Sequence, residues 1–215
     1  TPADTTFSRS DFLTFVADAH VIPSYENAAQ LSGELLNDLS LLQSSVESNQ
    51  NVEAALNQAR NRWFELAKAW QHVHAFDFGP AETSTGTLGQ NIATFPINVG
   101  QMQSYIVAGD YSFRNFDRDT RGIYAIEYFL FGIADYTAMS SNDWLYLLAV
   151  SDRVKEELES VVSGWKSDYR QSFIENDGTD AGSSVSLLVN SFALSYEAIK
   201  NFKLGLPLGL RPGQS

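Results

Sequence analysis

Apolar residues recur every three or four positions along most of this chain, which is the spacing of an amphipathic α-helix. The first stripe follows Ser10, a residue type favoured at helix N-caps, and it reaches Pro23, which is expected to kink or restart the helix. A second stripe occupies residues 28–46, and residues 48–51 have the composition of a turn. The pattern predicts a short helix followed by a long one.

Two further stripes predict two more long helices. One covers residues 52–73 and is expected to end near Gly79 and Pro80, which together form a typical helix stop. The other covers residues 144–165, and either Ser141 or Asn142 is the predicted N-cap.

A last stripe near the C-terminus predicts a helix with one face in the core, closed by Gly205 and Pro207. Its apolar positions are Val185, Leu188, Phe192, Tyr196, Ile199 and Phe202. Between the long helices lie a predicted loop over residues 81–96, a short helix over 97–108 and an irregular stretch over 109–119. No segment reads as a convincing strand. The predicted fold is all-α, an up-and-down helical bundle of about four long helices plus short helices and long loops.

One apolar segment, residues 120–132, carries an acid at its centre. On a helix, Tyr124, Glu127 and Phe131 share one face, and the opposite flank is apolar enough to face the core. A carboxylate among bulky apolar neighbours loses hydration, so Glu127 is expected to have a partner or a purpose. Two interpretations stay open: Glu127 pairs with an arginine, or it lines a binding site. The arginines considered are Arg114, Arg118 and Arg121.

Composition and charge narrow the function classes. The 215 residues include 26 acidic and 14 basic side chains, so the formal charge is −12. Such a chain repels phosphates, and we predict no nucleic-acid partner. Cysteine is absent, which removes disulfides, thiolate metal sites and a cysteine nucleophile. No apolar run approaches the roughly twenty residues that span a bilayer, so no transmembrane segment is predicted.

Histidines are the next candidates for chemistry, because the chain has no zinc-helix, nucleophile-elbow or phosphate-loop motif. His20 precedes Pro23 and is interpreted as a helix-end residue. His72 and His74 are two residues apart, which on a helix points them to different sides and prevents joint chelation of one ion. His74 opens an irregular stretch near Asp77 and is the better candidate, although a helix-end histidine often serves only as a hydrogen-bond partner.

Several segments, taken in order, resemble the imelysin-like family. Residues 75–80, Ala-Phe-Asp-Phe-Gly-Pro, resemble its first signature, and residues 88–97 look like the segment that follows. Residues 121–132 are similar to its central motif, GxHxxE followed by an apolar run and Gly. Residues 204–209 resemble the end of the family's first helical bundle.

The resemblance implies a helical protein exported to the bacterial periplasm or held at the cell envelope, often as a lipoprotein. The first residue is not Met, which is consistent with removal of a leader. Family members are described as metallopeptidases, iron-regulated proteins and periplasmic parts of iron uptake. Full-length members of the family look like two similar helical bundles. The resemblance therefore implies that residues 1–205 form the N-terminal bundle here, with residues 206–215 as a tail or linker towards a missing second bundle.

The central motif departs from the family pattern at one position, so that GxHxxE becomes GxYxxE. Gly122 and Glu127 match, whereas Tyr124 stands where the family has His. If the two signatures meet in space, Glu127, Tyr124, His74 and Asp77 form a candidate metal site. Carboxylates and a phenol are hard oxygen donors, so the predicted cofactor is iron or another divalent or trivalent metal ion.

Three functions follow from the resemblance. The first is an envelope protein in iron or haem uptake that binds a metal ion, an iron complex or another envelope protein. The second is a metallopeptidase, which the missing motif His disfavours, so catalysis is not predicted. The third is a non-catalytic interaction scaffold. In that case the Tyr124 hydroxyl forms a hydrogen bond with Glu127 or a neighbour, and nothing binds between them.

Overall fold

Helices make up most of the protein, and the all-α prediction is confirmed. A computed structural model describes residues 7–84, 86–113, 116–205 and 208–210. The α-helices are α1 (Arg9–Val16), α2 (Ile22–Ser48), α3 (Val52–Val73), α4 (Leu88–Ile92), α5 (Val99–Ala108), α6 (Ile123–Glu127), α7 (Ser141–Gly164), α8 (Arg170–Glu175) and α9 (Ser184–Ala198). Among these residues no helix is both long and apolar enough to cross a membrane.

In the described part of the chain, four π-helical segments continue or join these helices, and four 3-10 turns lie between them. The π segments are Ala17–Val21, Tyr128–Gly132, Trp165–Tyr169 and Ile199–Gly205. The 3-10 turns are His74–Phe76, Gly79–Ala81, Arg118–Thr120 and Tyr136–Ala138. Helix α2 begins directly after the first π segment with Pro23 in its first turn, where a missing N–H costs little. The helix therefore does not restart at Pro23, because the backbone stays helical from α1 through the π segment into α2.

Two predicted N-caps are wrong by one or two residues. Ser8, not Ser10, caps α1, because its extended backbone lets the side chain accept from the Asp11 amide. Ser140, not Ser141 or Asn142, caps α7 through a capping box with Asp143. In both cases the serine outside the helix has the extended conformation that capping requires.

Helix α2 is the centre of the bundle and packs against both α3 and α7. A three-residue turn, with Asn49 and Asn51 in the left-handed region, reverses the chain between α2 and α3. The core side chains come from the apolar stripes predicted for these helices. Examples with almost no exposed surface are Leu35, Leu39, Leu42, Ala59, Leu66, Leu147 and Leu158.

The segment predicted as a loop over residues 81–96 contains short regular elements. Two-residue strands β1 (Glu82–Thr83) and β2 (Gly86–Thr87) pair antiparallel, so the expectation of no strands is corrected here. Helix α4 follows at once, because Thr87 and Gln90 form a capping box. Helix α4 packs against α7.

Helix α9 departs from the prediction that its stripe lies in the core. Within α9 only Ser184 and Leu188 are buried. Phe192 and Tyr196 remain 49% and 68% exposed, and Ile199 in the following π segment is 39% exposed. An apolar stripe indicates a face that needs cover, but not which element covers it. Pro207, the predicted stop, lies outside the described residues.

Candidate functional site

The segment around Glu127 begins at a glycine that no other residue can replace without strain. Gly122 has φ +89°, and a Cβ at this position would lie 2.2 Å from the carbonyl oxygen of Ile92. Helix α6 therefore starts in backbone contact with the end of α4. This contact fixes the position of the central motif relative to the segment after the Phe-Asp-Phe-Gly-Pro turn.

Within α6 the two faces agree with the sequence pattern, whereas Phe131, predicted on the face of Tyr124 and Glu127, lies in the following π segment and packs against Trp63 and Phe64. Ile123, Ile126 and Phe129 are at most 1% exposed, whereas Tyr124 and Glu127 are only partly buried. The Trp63 indole donates a 2.9 Å hydrogen bond to the Ile123 carbonyl, which ties α6 to α3. The apolar flank thus anchors the helix and leaves the polar flank for a site.

Glu127 is followed directly by the π segment Tyr128–Gly132, a type of distortion that is frequent at functional sites. A π turn leaves carbonyls without their usual helical partners, and two side chains compensate here. Arg60 Nε donates to the Leu130 carbonyl at 2.7 Å, and the Tyr136 hydroxyl lies 2.8 Å from the Phe129 and Leu130 carbonyls. These contacts hold the distorted turn in place behind Glu127.

Glu127 and Tyr124 line a cavity of about 750 Å³ together with His74. The cavity lies between α3, α4, α6 and the segment that follows α9. Its lining residues are Trp70, Gln71, His74, Gly89, Ala93, Phe95, Tyr124, Glu127, Ala198 and Lys203. Three of the four residues predicted for the metal site therefore face one space, although they come from distant parts of the sequence.

Glu127 forms no hydrogen bond and no ion pair within the described part of the chain. Arg121 donates instead to the Phe113 carbonyl at 2.9 Å, and Arg118 lies 3.5 Å from the Gln90 side chain. Arg114 is outside the described residues. Loss of hydration raises the pKa of Glu127 above its ordinary value. Pairing with Arg118 or Arg121, one of the two interpretations left open by the sequence, is not observed.

Tyr124 lines the cavity beside Glu127 and forms no hydrogen bond with it. Burial raises the pKa of the Tyr124 phenol, and the Glu127 charge raises it further. The ring stands edge-on to Phe95, with centroids 5.4 Å apart and planes at 67°. No hydrogen bond of the Tyr124 hydroxyl occurs among the described residues, so the phenol is available to a ligand.

The opposite part of the cavity carries a positive charge. Lys203 donates to the Gln71 amide oxygen at 2.7 Å, and burial lowers its pKa. His74 lies 3.1 Å from the Ser195 hydroxyl through Nδ1 and stands edge-on to Trp70. Burial lowers the pKa of His74, and the Lys203 charge lowers it further, so the imidazole is neutral at neutral pH.

Asp77 has a different place from the other three predicted site residues. Its two oxygens accept from the Gly89 amide at 3.3 Å each, at the start of α4, and Asp77 is not among the cavity-lining residues. Burial raises the pKa of Asp77 more than the hydrogen bonds from Thr87 and Gly89 lower it. The carboxylate is thus already engaged in positioning α4.

The cavity offers an incomplete donor set for a metal ion. Within the described ranges, no three His, Cys, Asp or Glu side chains are grouped so that they could hold a metal ion. Glu127 and Tyr124 supply two hard oxygen donors, which would fill only part of an octahedral sphere.

Lys203 and Gln71 are site residues that the sequence reasoning missed. The signal available was weak: Lys203 is the second of two lysines in the stretch after α9, and Gln71 lies one position before His72. Trp70 and Phe95 were assigned to other roles, although both contribute aromatic walls to the cavity. Only the packing of the π segment Ile199–Gly205 brings Lys203 to this space.

Comparison with known proteins gives a consistent family. The sequence profile of the family described as Imelysin matches residues 21–215. The crystal structure of an imelysin-like protein from Psychrobacter arcticum 273-4 is similar with a TM-score of 0.77 and 24% identity, over 95% of this chain and 65% of that chain. No protein in a search of curated proteins matches.

A second crystal structure shares the fold at lower identity. It is described as a candidate iron-regulated protein A precursor from Parabacteroides distasonis ATCC 8503, with a TM-score of 0.68 and 17% identity over 92% of this chain and 58% of that chain. The present chain thus spans less than two thirds of the length of the two solved structures.

Proposed function

Because this chain belongs to the imelysin family, we propose that its cavity binds an iron complex during iron acquisition at the bacterial envelope. The observation that carries the proposal is the unpaired Glu127 carboxylate beside the unbonded Tyr124 phenol in one cavity. A cation at this position would restore the interactions that burial removes from Glu127, and it would lower the pKa of Tyr124 towards the phenolate.

The iron assignment draws on chemistry and on similarity. A carboxylate and a phenolate together prefer a hard trivalent cation over zinc. One solved structure of the same fold carries the name iron-regulated protein A precursor, in agreement with an iron-related role. The export and envelope location are proposed from the family resemblance, and the family match over residues 21–215 is compatible with them.

A metallopeptidase role is the alternative that the family label suggests, and it is disfavoured by the cavity residues. Peptide hydrolysis by a metal needs several protein ligands, an activated water and a general base. The motif His is Tyr124 here, and His74 is hydrogen-bonded to Ser195 rather than to an acid. A pure scaffold role leaves the unpaired Glu127 without a purpose.

Isothermal calorimetry with a soluble ferric chelate tests the proposal. We expect saturable binding by the native protein and at least about tenfold weaker binding by Glu127→Gln, because one charged ligand is removed. Glu53→Gln is the matched control, since Glu53 lies on the exposed surface of α3. Absence of any binding by the native protein would overturn the proposal, and chelator-sensitive peptide cleavage would favour the peptidase instead.

A further inference from the structure

Two side chains of opposite charge line the cavity, and neither forms an ion pair with another described residue. Glu127 has no ion pair, and Lys203 bonds only to the neutral amide of Gln71 among the described residues. The chain has 26 acidic and 14 basic residues, so a basic side chain has many more acids available than bases. Lys203 is thus a cavity-lining cation whose hydrogen bond to Gln71 leaves its charge without a carboxylate among the described residues.

The two charges do not neutralise each other across the cavity. No ion pair joins Glu127 and Lys203, although both line the same space. Lys203 donates its hydrogen bond to Gln71, and its charge acts on the neighbouring His74, so Lys203 belongs to the His74 part of the cavity. The cavity thus has a negative part and a positive part.

From this arrangement, and resting on the proposed function, we infer that the iron complex carries a polycarboxylate chelator oriented by Lys203. The ferric ion lies against Glu127 and Tyr124, and a free carboxylate of the chelator accepts from the Lys203 ammonium beside Gln71. On coordination, Glu127 and Tyr124 replace weakly held ligands such as water, and the phenol of Tyr124 releases one proton to solvent. Iron does not change its oxidation state.

This orientation also explains how the cavity distinguishes loaded from empty chelator. An iron-free polycarboxylate meets the Glu127 carboxylate as a like charge, which is unfavourable in a partly desolvated site. Only the metal-loaded form presents a cation to Glu127 and an anion to Lys203 at the same time. The aromatic walls Trp70 and Phe95 contribute apolar area to either form and do not discriminate between them.

The test compares two ferric complexes of different chelator chemistry by calorimetry. Ferric citrate offers free carboxylates to Lys203, whereas a one-to-one ferric complex of a tetradentate dihydroxamate offers none and still leaves two coordination positions to Glu127 and Tyr124. We expect Lys203→Gln to weaken ferric citrate binding by about tenfold or more, the loss of one charge-assisted hydrogen bond, and to leave dihydroxamate binding within about twofold. Lys203→Arg should retain most of the affinity, and Lys200→Gln is the control from the same π segment.

Each other outcome has a defined meaning. If Lys203→Gln weakens neither complex, or both equally, the inference about Lys203 is wrong while iron binding at Glu127 stands. If iron-free citrate or a zwitterionic dipeptide binds the native protein as tightly as ferric citrate, the polycarboxylate–iron assignment is overturned. If neither ferric complex binds the native protein, the proposed function fails as well. Thermal unfolding of each variant verifies that the fold is retained.

Discussion

A Cβ on Gly122 would lie 2.2 Å from the carbonyl oxygen of Ile92, so the first residue of the central motif touches α4 through backbone alone. Gly122 also has a backbone conformation, φ +89° and ψ −166°, that only glycine adopts readily. The contact joins the motif that carries Tyr124 and Glu127 to the segment that carries Ala93 and Phe95. The walls of the cavity are therefore positioned by this glycine.

Gly122→Ala is expected to lower the free energy of unfolding by about 2–4 kcal/mol, since both strain and a steric clash are introduced. The matched control is Gly109→Ala. Gly109 also has positive φ, at +68°, but a Cβ there meets nothing within 4 Å. The control should cost about 1 kcal/mol. Urea unfolding of the two variants measures the difference, and equal losses would contradict a close approach at Ile92.

Glu127→Gln is expected to stabilise the protein at neutral pH while it weakens ligand binding. The pKa of Glu127 is raised in the folded state, so the folded protein holds its proton more tightly than the unfolded chain does. This carboxyl therefore favours folding below its ordinary pKa and loses that contribution as pH rises through the raised value. At neutral pH the gain from Gln should be about 0.5–1 kcal/mol, because Glu127 keeps part of its hydration.

Thermal unfolding between pH 4 and pH 8 measures the effect of Glu127→Gln. The difference from the native protein should grow as pH rises and vanish at acid pH. Glu53→Gln, on the exposed surface of α3, should produce no such trend. A Glu127→Gln variant that is less stable at neutral pH would indicate a stabilising partner for the carboxylate.

The faces of residues 120–132 could be predicted because helical periodicity acts locally. Ile126 and Phe129 are large and apolar and lie on one side of the helix. Both therefore face the core, regardless of which element packs against them. Glu127 is then necessarily on the other side. For the same reason, the long stripes of α2, α3 and α7 predicted the bundle, although the cap of α7 at Ser140 was misplaced by one residue.

The arrangement around Lys203 and Asp77 could not be predicted, because it depends on packing between distant segments. Asp77 was chosen for its closeness to His74 in sequence, yet its carboxylate reaches the Gly89 amide in α4. Lys203 lies more than a hundred residues from Gln71, and a π-helical segment sets its direction. No periodic pattern in the sequence signals a π turn.

Tyr124→Phe is expected to remove the visible absorption band that a ferric complex acquires when a phenolate coordinates it. In the native protein, affinity should rise with pH, because burial and Glu127 raise the pKa of the phenol and coordination releases its proton. Titrations followed by absorption at several pH values measure both effects. Tyr196→Phe is the control, since Tyr196 is 68% exposed. A band that survives in Tyr124→Phe would exclude Tyr124 as the ligand.

Tyr136→Phe is expected to lower the free energy of unfolding by about 1–2 kcal/mol, because its hydroxyl is the partner of two carbonyls freed by the π turn. Tyr128→Phe is the matched control, as the Tyr128 hydroxyl forms no hydrogen bond within the described residues. Its cost should stay within about 0.5 kcal/mol. Chemical unfolding of both variants measures the difference, and equal effects would show that the π turn does not need Tyr136.

Leu194→Gln is expected to leave the stability of the protein almost unchanged, because Leu194 is 72% exposed on α9. The free energy of unfolding should change by no more than about 0.5 kcal/mol, whereas Leu188→Gln, at 4% exposure, should cost about 2–5 kcal/mol. Urea unfolding of the two variants measures the difference. Equal destabilisation by Leu194→Gln and Leu188→Gln would contradict the exposure of Leu194, because it would show that the outer face of α9 is covered in solution.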